Sequence, residues 1–365
     1  GGGGRFGGSP QGLNSKKMVG VNVNYEDKNK LKLDGSVRWN HSNGDLQTTQ
    51  STENFVNKSG AFSNSHNSSL SRSNSYDARF RMEWTPDSMT NIMFRPKFSY
   101  NTNDGLSSGL SASFQSNPYD IVDDPLSNDA LQLLEKNGVI VNRRTSSSVS
   151  YSKSPSAGAM LQVNRKLNRS GRNVTLRGDL SYSDGNSNSL SLSNVHLYQL
   201  QDIYGNDSVY NTNRYNYTPT KKWSSAVQLT YSEPLWKGTF LQFSYKFTYV
   251  ENGLFNNVTT GYRNWNSYLS LLDGTLEDYY DKSQSRYSEY RNYIHEMQLS
   301  FKVIKKKYNF NAGVMFQPQT SKFIQEYRGV STDTVRNVFN VSPTFEFRYK
   351  FSKTSNLRIN YRGTT

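Results

Sequence analysis

The chain has 365 residues, of which only 34% are hydrophobic, and its mean hydropathy is −0.79. A soluble protein this polar would bury a small core for its length, yet the aromatic content of 13% is high for a disordered chain. The net charge of +14 suggests nucleic acid as a partner, but Lys and Arg do not cluster in one patch, and we expect no nucleic-acid binding. The absence of cysteine excludes disulfides and cysteine-ligated metals. The sequence contains no run of about 18 apolar residues, so it predicts no transmembrane helix.

An alternation of apolar and polar residues is clearest between Leu31 and Asn40. Because successive side chains of a strand point to opposite faces, this run predicts a strand with one apolar and one charged face. A similar alternation over residues 19–25 precedes it, and residues 26–29 are predicted to form the turn between the two. The Ser/Asn/Thr-rich residues 41–75 predict either a long loop or strands that extend beyond a membrane.

The next two strands are predicted over residues 76–84 and 92–100, on either side of a turn at 85–88. Pro96 falls on the apolar face of the second strand. Because proline lacks the backbone donor of the ladder, it requires a bulge or an edge there.

The remaining elements repeat this plan, with one helix inside the longest loop. A loop is predicted over residues 101–157, and within it Ser127–Gly138 has capping candidates at its start and a C-terminal glycine, which predicts a short helix. The alternation resumes in runs at 159–163, 174–182, 223–231, 241–249, 293–301, 310–316, 339–351 and 357–361. The connections are predicted as turns near 168–171, 233–238, 305–307 and 354, and as a loop over about 251–290.

Alternating strands of about ten residues, joined by short turns on one side and long loops on the other, are typical of transmembrane β-barrels. The predicted fold is therefore all-β: an antiparallel up-and-down transmembrane β-barrel, present in part as about twelve strands of a larger barrel. Because open sheet edges are not tolerated in hydrocarbon, the expected partners are outer-membrane lipid and further barrel strands. The predicted lipid-facing residues are Leu241, Phe243, Tyr245, Phe247, Phe345 and Phe347.

Few residues suggest a chemical site. The four histidines are far apart in the sequence, and His295 is interpreted as an interfacial aromatic residue. Asp123 with Asp124, and the acidic stretch at 278–281, lack the pattern of a calcium-binding EF-hand. The Gly-rich start has neither a preceding strand nor a Gly-Lys-Ser/Thr sequence, so it does not predict nucleotide binding. We expect no catalytic residue, no metal, no cofactor and no enzymatic activity.

The best functional candidates are basic residues predicted on the polar faces of the strands, where they would line a barrel lumen. Acidic neighbours on the same faces can neutralise them as cross-strand pairs. A wall of compensated charges that keeps the lumen hydrated or holds a plug is therefore the main alternative to direct contact with a solute. The candidates are Arg38, Arg79, Arg81, Arg95, Lys97, Arg177, Lys246, Arg348 and Lys350.

A resemblance extends over essentially the whole chain and is carried by five segments. They are the opening Gly-Gly-Gly-Gly-Arg-Phe-Gly-Gly, Leu13–Met18, Leu31–Asn40, Asn91–Pro96 and Leu357–Thr365. In these segments the chain resembles the outer-membrane-protein β-barrel family allied to TonB-dependent receptors. The resemblance implies a larger protein with an N-terminal plug and a barrel of about 22 strands, which imports solutes too large for porins with energy delivered through the TonB protein.

On this resemblance, residues 1–17 are expected to be a Gly-rich linker or the end of the plug, and residues 18–365 the N-terminal part of the barrel. The chain is then an internal fragment of a longer protein. The expected function is ligand recognition and uptake across the outer membrane of a Gram-negative bacterium, with the plug, the TonB complex and an unknown solute as partners. The alternative is a structural or adhesive outer-membrane protein whose barrel anchors long surface loops. A secreted β-solenoid is disfavoured because no fixed repeat length is present.

Overall fold

The computed structural model of the chain describes residues 5–7, 11–28, 30–54, 61–260, 283–352 and 355–363. These residues form a single sheet of thirteen strands, and all neighbouring strands are antiparallel. The strands are β1 (Arg5–Gly7), β2 (Gln11–Asp27), β3 (Leu31–Glu53), β4 (Phe62–Asp87), β5 (Thr90–Phe114), β6 (Ile140–Lys166), β7 (Asn173–Gln201), β8 (Asp207–Trp236), β9 (Thr239–Thr260), β10 (Arg286–Ile304), β11 (Tyr308–Tyr327), β12 (Val330–Lys350) and β13 (Asn356–Arg362). The predicted all-β, antiparallel fold class is confirmed.

The strands from β3 to β13 follow one another across the sheet in chain order, which is the predicted up-and-down arrangement. Both β1 and β2 pair with β3, at different positions along that strand. In the part of the chain that the structure describes, β13 pairs only with β12 and β2 pairs only with β3. Within the described residues the sheet therefore has open edges and does not close on itself.

One face of the sheet carries apolar residues at the same level on every long strand. Directly opposite residues of antiparallel strands share a face, and the register sets apolar residues against one another from β3 to β12. One such row consists of Leu31, Trp84, Ile92, Val163, Leu176, Leu229, Tyr245, Met297, Phe316 and Val341. We call this face, at the levels adjoining the short turns, the apolar belt.

Two hairpins keep the apolar belt continuous by means of a β-bulge. The β4–β5 hairpin closes on the pair Asp87 and Thr90. If pairing continued regularly from this pair, apolar residues of β4 would lie opposite polar residues of β5, because a shift of one residue moves every side chain to the other face. A register shift between Trp84 and Asp87 restores apolar-to-apolar pairing. The β8–β9 hairpin has a register shift of the same kind, between Pro234 and Trp236. The sheet therefore absorbs one extra residue at each of these turns.

The strands are longer than predicted, and the loops at the ends of the sheet away from the short turns are shorter. The loop predicted over 101–157 is wrong except for residues 115–139, because β5 continues to Phe114 and β6 begins at Ile140. Residues 41–75 are likewise mostly strand, which confirms the alternative of extended strands. In these Ser-rich strands the backbone groups pair in the ladder, and hydroxyls bond across strands, as Ser99 and Ser156 do at 2.5 Å.

Other predicted connections are only partly described. The loop predicted over 251–290 is strand up to Thr260 and again from Arg286. Residues 261–282, which include the acidic stretch at 278–281, lie outside the described residues, as do Thr354 and the first four glycines. The division of the chain after residue 17 stays a prediction, and β2 begins before it, at Gln11.

The predicted short helix is confirmed as α1 (Asn128–Lys136), which follows a 3₁₀ turn at Pro118–Asp120. Ser127 caps the helix, since its hydroxyl accepts the N–H of Ala130 at 3.3 Å, and Gly138 ends it at a φ of +66°. The helix packs on the ends of β5 and β6 around a small core of Ala112, Phe114, Leu131, Leu134, Val139 and Ile140. We call residues 115–139, which carry the helix, the distal cap. No helix in the described part of the chain is long and apolar enough to span a membrane.

Candidate functional site on the polar face

The face opposite the apolar belt is polar, and it carries the nine basic residues that the sequence singled out. The period of two along each strand places them on this face, and the cross-strand register aligns that face from β3 to β12. They are Arg38, Arg79, Arg81, Arg95, Lys97, Arg177, Lys246, Arg348 and Lys350. That this polar face borders a lumen, and that the apolar belt faces lipid, both stay predictions.

Several cations of the polar face are compensated by a carboxylate on the same face. The pairs, with their N–O distances, are Arg81–Glu83 (2.9 Å), Arg177–Asp179 (2.8 Å), Lys246–Glu296 (3.9 Å) and Arg358–Glu346 (3.0 Å). These side chains are partly exposed, and such pairs contribute about 0–1 kcal/mol each. Their main effect is to balance charge along the face.

One group of cations on β4 and β5 is not balanced in this way. Arg79 lies directly opposite Lys97 across the two strands. Arg95 precedes Lys97 by two residues on the same face, and the same register, continued past Pro96, sets Arg81 opposite Arg95. Among the described residues, only Arg81 of these four has a carboxylate within 4.0 Å. We call Arg79, Arg81, Arg95 and Lys97 the cation block.

The strands around the cation block are shaped to leave it accessible. Gly158 of β6 lies opposite Lys97, and a Cβ atom there would be 3.0 Å from Cε and 3.6 Å from Cγ of that lysine. It would also be 3.0 Å from the backbone oxygen of Leu180. Glycine therefore lets the stem of Lys97 lie across this position without a shift of either neighbour. The strand pairing between β4 and β5 is interrupted beside Pro96, which cannot donate to the ladder.

Two open grooves flank the cation block, and Arg95 and Lys97 line both. The groove toward β3, of about 760 Å³, is also lined by Asn22, Asn24, Asp34, Ser36, Arg79 and Arg81. The groove toward β7, of about 360 Å³, is also lined by Met160, Arg177, Asp179, Ser181 and Ser224. Water and small solutes can thus reach the two central cations from both sides.

The histidines are not brought together. Each has a hydrogen-bond partner of its own: His41 with Asn74 (2.7 Å), His66 with Thr49 (3.0 Å), His196 with Asp207 (3.1 Å) and His295 with Tyr245 (2.8 Å). His295 also lies 4.9 Å from the ring of Phe247, as its interpretation as an aromatic residue of the apolar face requires. Within the described ranges, no group of three or more His, Asp or Glu side chains is placed to hold a metal ion.

Sequence reasoning named the four members of the cation block separately but did not join them. Their adjacency depends on the register between β4 and β5, which the bulge near Pro86 shifts by one residue. The sequence feature that could have indicated this adjacency is the spacing Arg79-x-Arg81 and Arg95-x-Lys97 on the two strands of one hairpin. The role of Gly158, on another strand, had no signal in the sequence.

No known family model matches the chain, and no curated protein sequence matches it. Solved structures do match. The ferric preacinetobactin receptor BauA from Acinetobacter baumannii matches at a TM-score of 0.35 and 8% identity, over 99% of this chain and 62% of that protein. The siderophore receptor PiuA from Acinetobacter baumannii matches at a TM-score of 0.29 and 9% identity, over 98% of this chain and 77% of that protein. This chain thus spans less than two thirds of BauA.

The outer membrane protease OmpT from Escherichia coli also matches, at a TM-score of 0.24 and 10% identity, over 94% of this chain and 98% of that protein. The expectation of no enzymatic activity is corrected by this comparison, since a protease is among the matching structures. The predicted outer-membrane location agrees with these neighbours. At such identities and TM-scores the likeness assigns neither a family nor an activity.

Proposed function

We propose that the chain forms part of the wall of an outer-membrane β-barrel receptor, which takes part in recognising a ligand and admitting it across the outer membrane of a Gram-negative bacterium. The observation that carries this proposal is the apolar belt. Its side chains are continuous across ten strands and remain exposed, as Phe243 (46%) and Val227 (54%) illustrate. Soluble proteins rarely expose apolar patches of this extent, whereas a membrane covers them.

The dimensions of the apolar belt suit a bilayer. The run from Leu31 to Trp39 lies within one strand, and its nine residues are within the roughly 9–11 residues that a strand tilted by about 45° needs to span a membrane. The apolar band of outer-membrane barrels is about 25 Å tall. Aromatic residues mark the edge of the belt away from the short turns, and the paired rings are Tyr76–Tyr100 (6.2 Å), Tyr182–Trp223 (6.1 Å) and Tyr249–Tyr293 (5.1 Å).

In this proposal the partners are outer-membrane lipid, the strands that cover the open sheet edges, a plug and the TonB complex. The open edges of β2 and β13 support the need for further strands. The plug, the TonB complex and the unknown solute rest on the sequence resemblance alone.

Insertion into a bilayer tests the proposal. The chain joined to the strands that complete the barrel, unfolded in urea, is diluted into phosphatidylcholine vesicles, and the chain alone is diluted into buffer without lipid or detergent. We expect β-structure with heat-modifiable gel migration and protease protection of the belt in vesicles, and aggregation in buffer, since neither the belt nor the open edges are stable in water. A monodisperse, cooperatively unfolding chain in plain buffer would contradict the proposal.

The alternative function, an anchor for displayed surface structure, is favoured by the distal cap and by the long strand extensions that carry it. Leu134 of the cap is fully buried, so Leu134→Asp disrupts the cap while leaving the belt untouched. In cells that express the protein, an anchor predicts that this substitution abolishes adhesion of the cells to surfaces. A receptor predicts unchanged adhesion and a dependence of solute uptake on the TonB complex.

A further inference from the structure

The polar face shows where charge is balanced and where it is not. Arg177 on β7, Lys246 on β9 and Arg358 on β13 each have a carboxylate within 4.0 Å, at Asp179, Glu296 and Glu346 respectively. Among the described residues, Arg38, Arg348 and Lys350 have no such partner, but neither of the two grooves that Arg95 and Lys97 line contains them. The cation block on β4 and β5 has four positive charges, and two acidic residues balance part of it: Glu83, which pairs with Arg81, and Asp34, which lies opposite Arg81 on β3. Two further carboxylates lie beside the block, but each faces a cation outside it, since Asp77 lies opposite Arg38 and Asp179 pairs with Arg177. The block therefore retains a local excess of two positive charges.

This excess is unfavourable unless something balances it. Like charges directly opposite each other across two strands destabilise the pair, and Arg79 with Lys97 is such a pair. Arg81 and Arg95 form a second pair of opposed like charges, two residues further along the hairpin. A ligand that supplies negative charge at this point relieves both repulsions at once, so its binding is linked to the stability of the hairpin.

The spacing of the cations defines the ligand. Cross-strand neighbours have Cβ atoms about 5 Å apart, and residues two apart on one strand are about 7 Å apart. Arginine offers a planar fork that binds carboxylate or phosphate through two hydrogen bonds, whereas lysine acts as a point charge. Two anionic groups separated by about 5–7 Å would each contact an arginine and share the lysine.

We propose that the cation block is the binding site of a small solute that carries at least two anionic oxygen groups, either phosphates or carboxylates. This inference rests on the proposed function, because it makes the polar face the path of the ligand. Arg95 and Lys97 are the central residues, since they line both grooves. Arg79 completes the site from β4, and Gly158 leaves room for the stem of Lys97.

Calorimetric titration tests the inference, with the completed barrel that contains this chain folded in phosphatidylcholine vesicles at low ionic strength. The probe is inorganic triphosphate, whose terminal phosphates are about as far apart as cross-strand neighbours. We expect saturable binding that Arg95→Gln with Lys97→Gln weakens by about tenfold or more, because both substitutions remove charge-assisted hydrogen bonds to the anion. The matched control is Lys246→Gln with Arg358→Gln, which removes the same charge from compensated positions. It should leave the affinity within about twofold, as solvent-exposed pairs contribute little. Citrate is titrated in parallel to separate carboxylate from phosphate recognition.

Equal weakening by the two double variants, or an affinity for chloride equal to that for triphosphate, would reduce the effect to net charge and overturn the inference. So would the absence of binding by the inserted wild-type chain. If the Arg95/Lys97 double variant fails to insert, Arg79→Gln alone is measured, with the same expected direction. A wild-type completed barrel that never inserts into vesicles refutes the proposed function instead, so the two failures are distinguishable.

Discussion

At the scale of single residues, the alternation along a strand assigns each side chain to one of two environments. In β9, Phe243 is 46% exposed on the apolar face, whereas its neighbour Ser244 is 8% exposed on the polar face. The hydroxyl of Ser244 accepts a hydrogen bond at 3.0 Å from Nε2 of Gln228 on β8, so its polar atom has a partner although it is buried. Small polar residues thus fill the polar face between its charged side chains. We therefore expect an added charge to destabilise the protein more on the apolar face than on the polar face.

Phe243→Arg should destabilise the vesicle-inserted protein by about 2–4 kcal/mol if Phe243 lies near the bilayer midplane, because it places a charge in hydrocarbon. Gln242→Arg is the matched control on the polar face, at a position that is not fully buried, and it should cost much less. Folding titrations of both variants in vesicles measure the difference. Equal costs at the two positions would show that the apolar belt does not face lipid.

At the scale of elements, the short connections are stabilised by local hydrogen bonds between the side chains and the backbone. The β7–β8 connection turns at Asp202, whose carboxylate accepts the N–H groups of Tyr204 at 2.8 Å and Asn206 at 2.9 Å. Gly205 takes a φ of +81° in this loop, which a side chain would disfavour. The backbone hydrogen bond from Asn206 is the main cause that lowers the pKa of Asp202 below its usual 3.8.

The pH dependence of this loop follows from that lowered pKa. Because the folded loop holds the carboxylate ionised, its contribution to loop stability is complete above the unfolded pKa of 3.8 and is lost as the pH falls through the folded pKa. Hydrogen-exchange protection factors of the Tyr204 and Asn206 amides should therefore drop between pH 7 and about pH 3. Amides of the belt are the internal control and should stay protected. Equal protection of the loop at both pH values would contradict the assignment.

At the scale of the whole molecule, the two ends of the sheet differ in charge. The end with the short turns is strongly basic, and its exposed cations without an ion pair in the described structure are Lys28, Lys30, Lys166, Arg169, Lys237, Lys305, Lys306 and Lys307. Two of these turns touch, since Nζ of Lys305 donates to the carbonyl of Lys237 at 2.5 Å. A ring of cations at the edge of an apolar belt is placed to meet anionic lipid headgroups.

Replacing Lys305, Lys306 and Lys307 together by glutamine should reduce the preference of the protein for anionic membranes, at about 1 kcal/mol per lysine near the surface. The measurement is the rate and yield of folding into vesicles with and without phosphatidylglycerol. The control removes Lys153, Lys221 and Lys222, which lie beyond the belt at the other end of the strands. A loss of equal size in both triple variants would show that only total charge matters.

The sequence by itself determined which segments are strands near the short turns, which of their residues share a face, and the up-and-down order, because alternation and turn chemistry are local. It also determined α1, since Ser127 and Gly138 cap it within one short segment. Only the tertiary structure decided the length of the strands, because Ser- and Asn-rich segments such as residues 101–114 become strands through pairing with neighbours rather than through their own propensity. It also decided the cation block, because a single extra residue near Pro86 exchanges the partners of every side chain on β4 and β5.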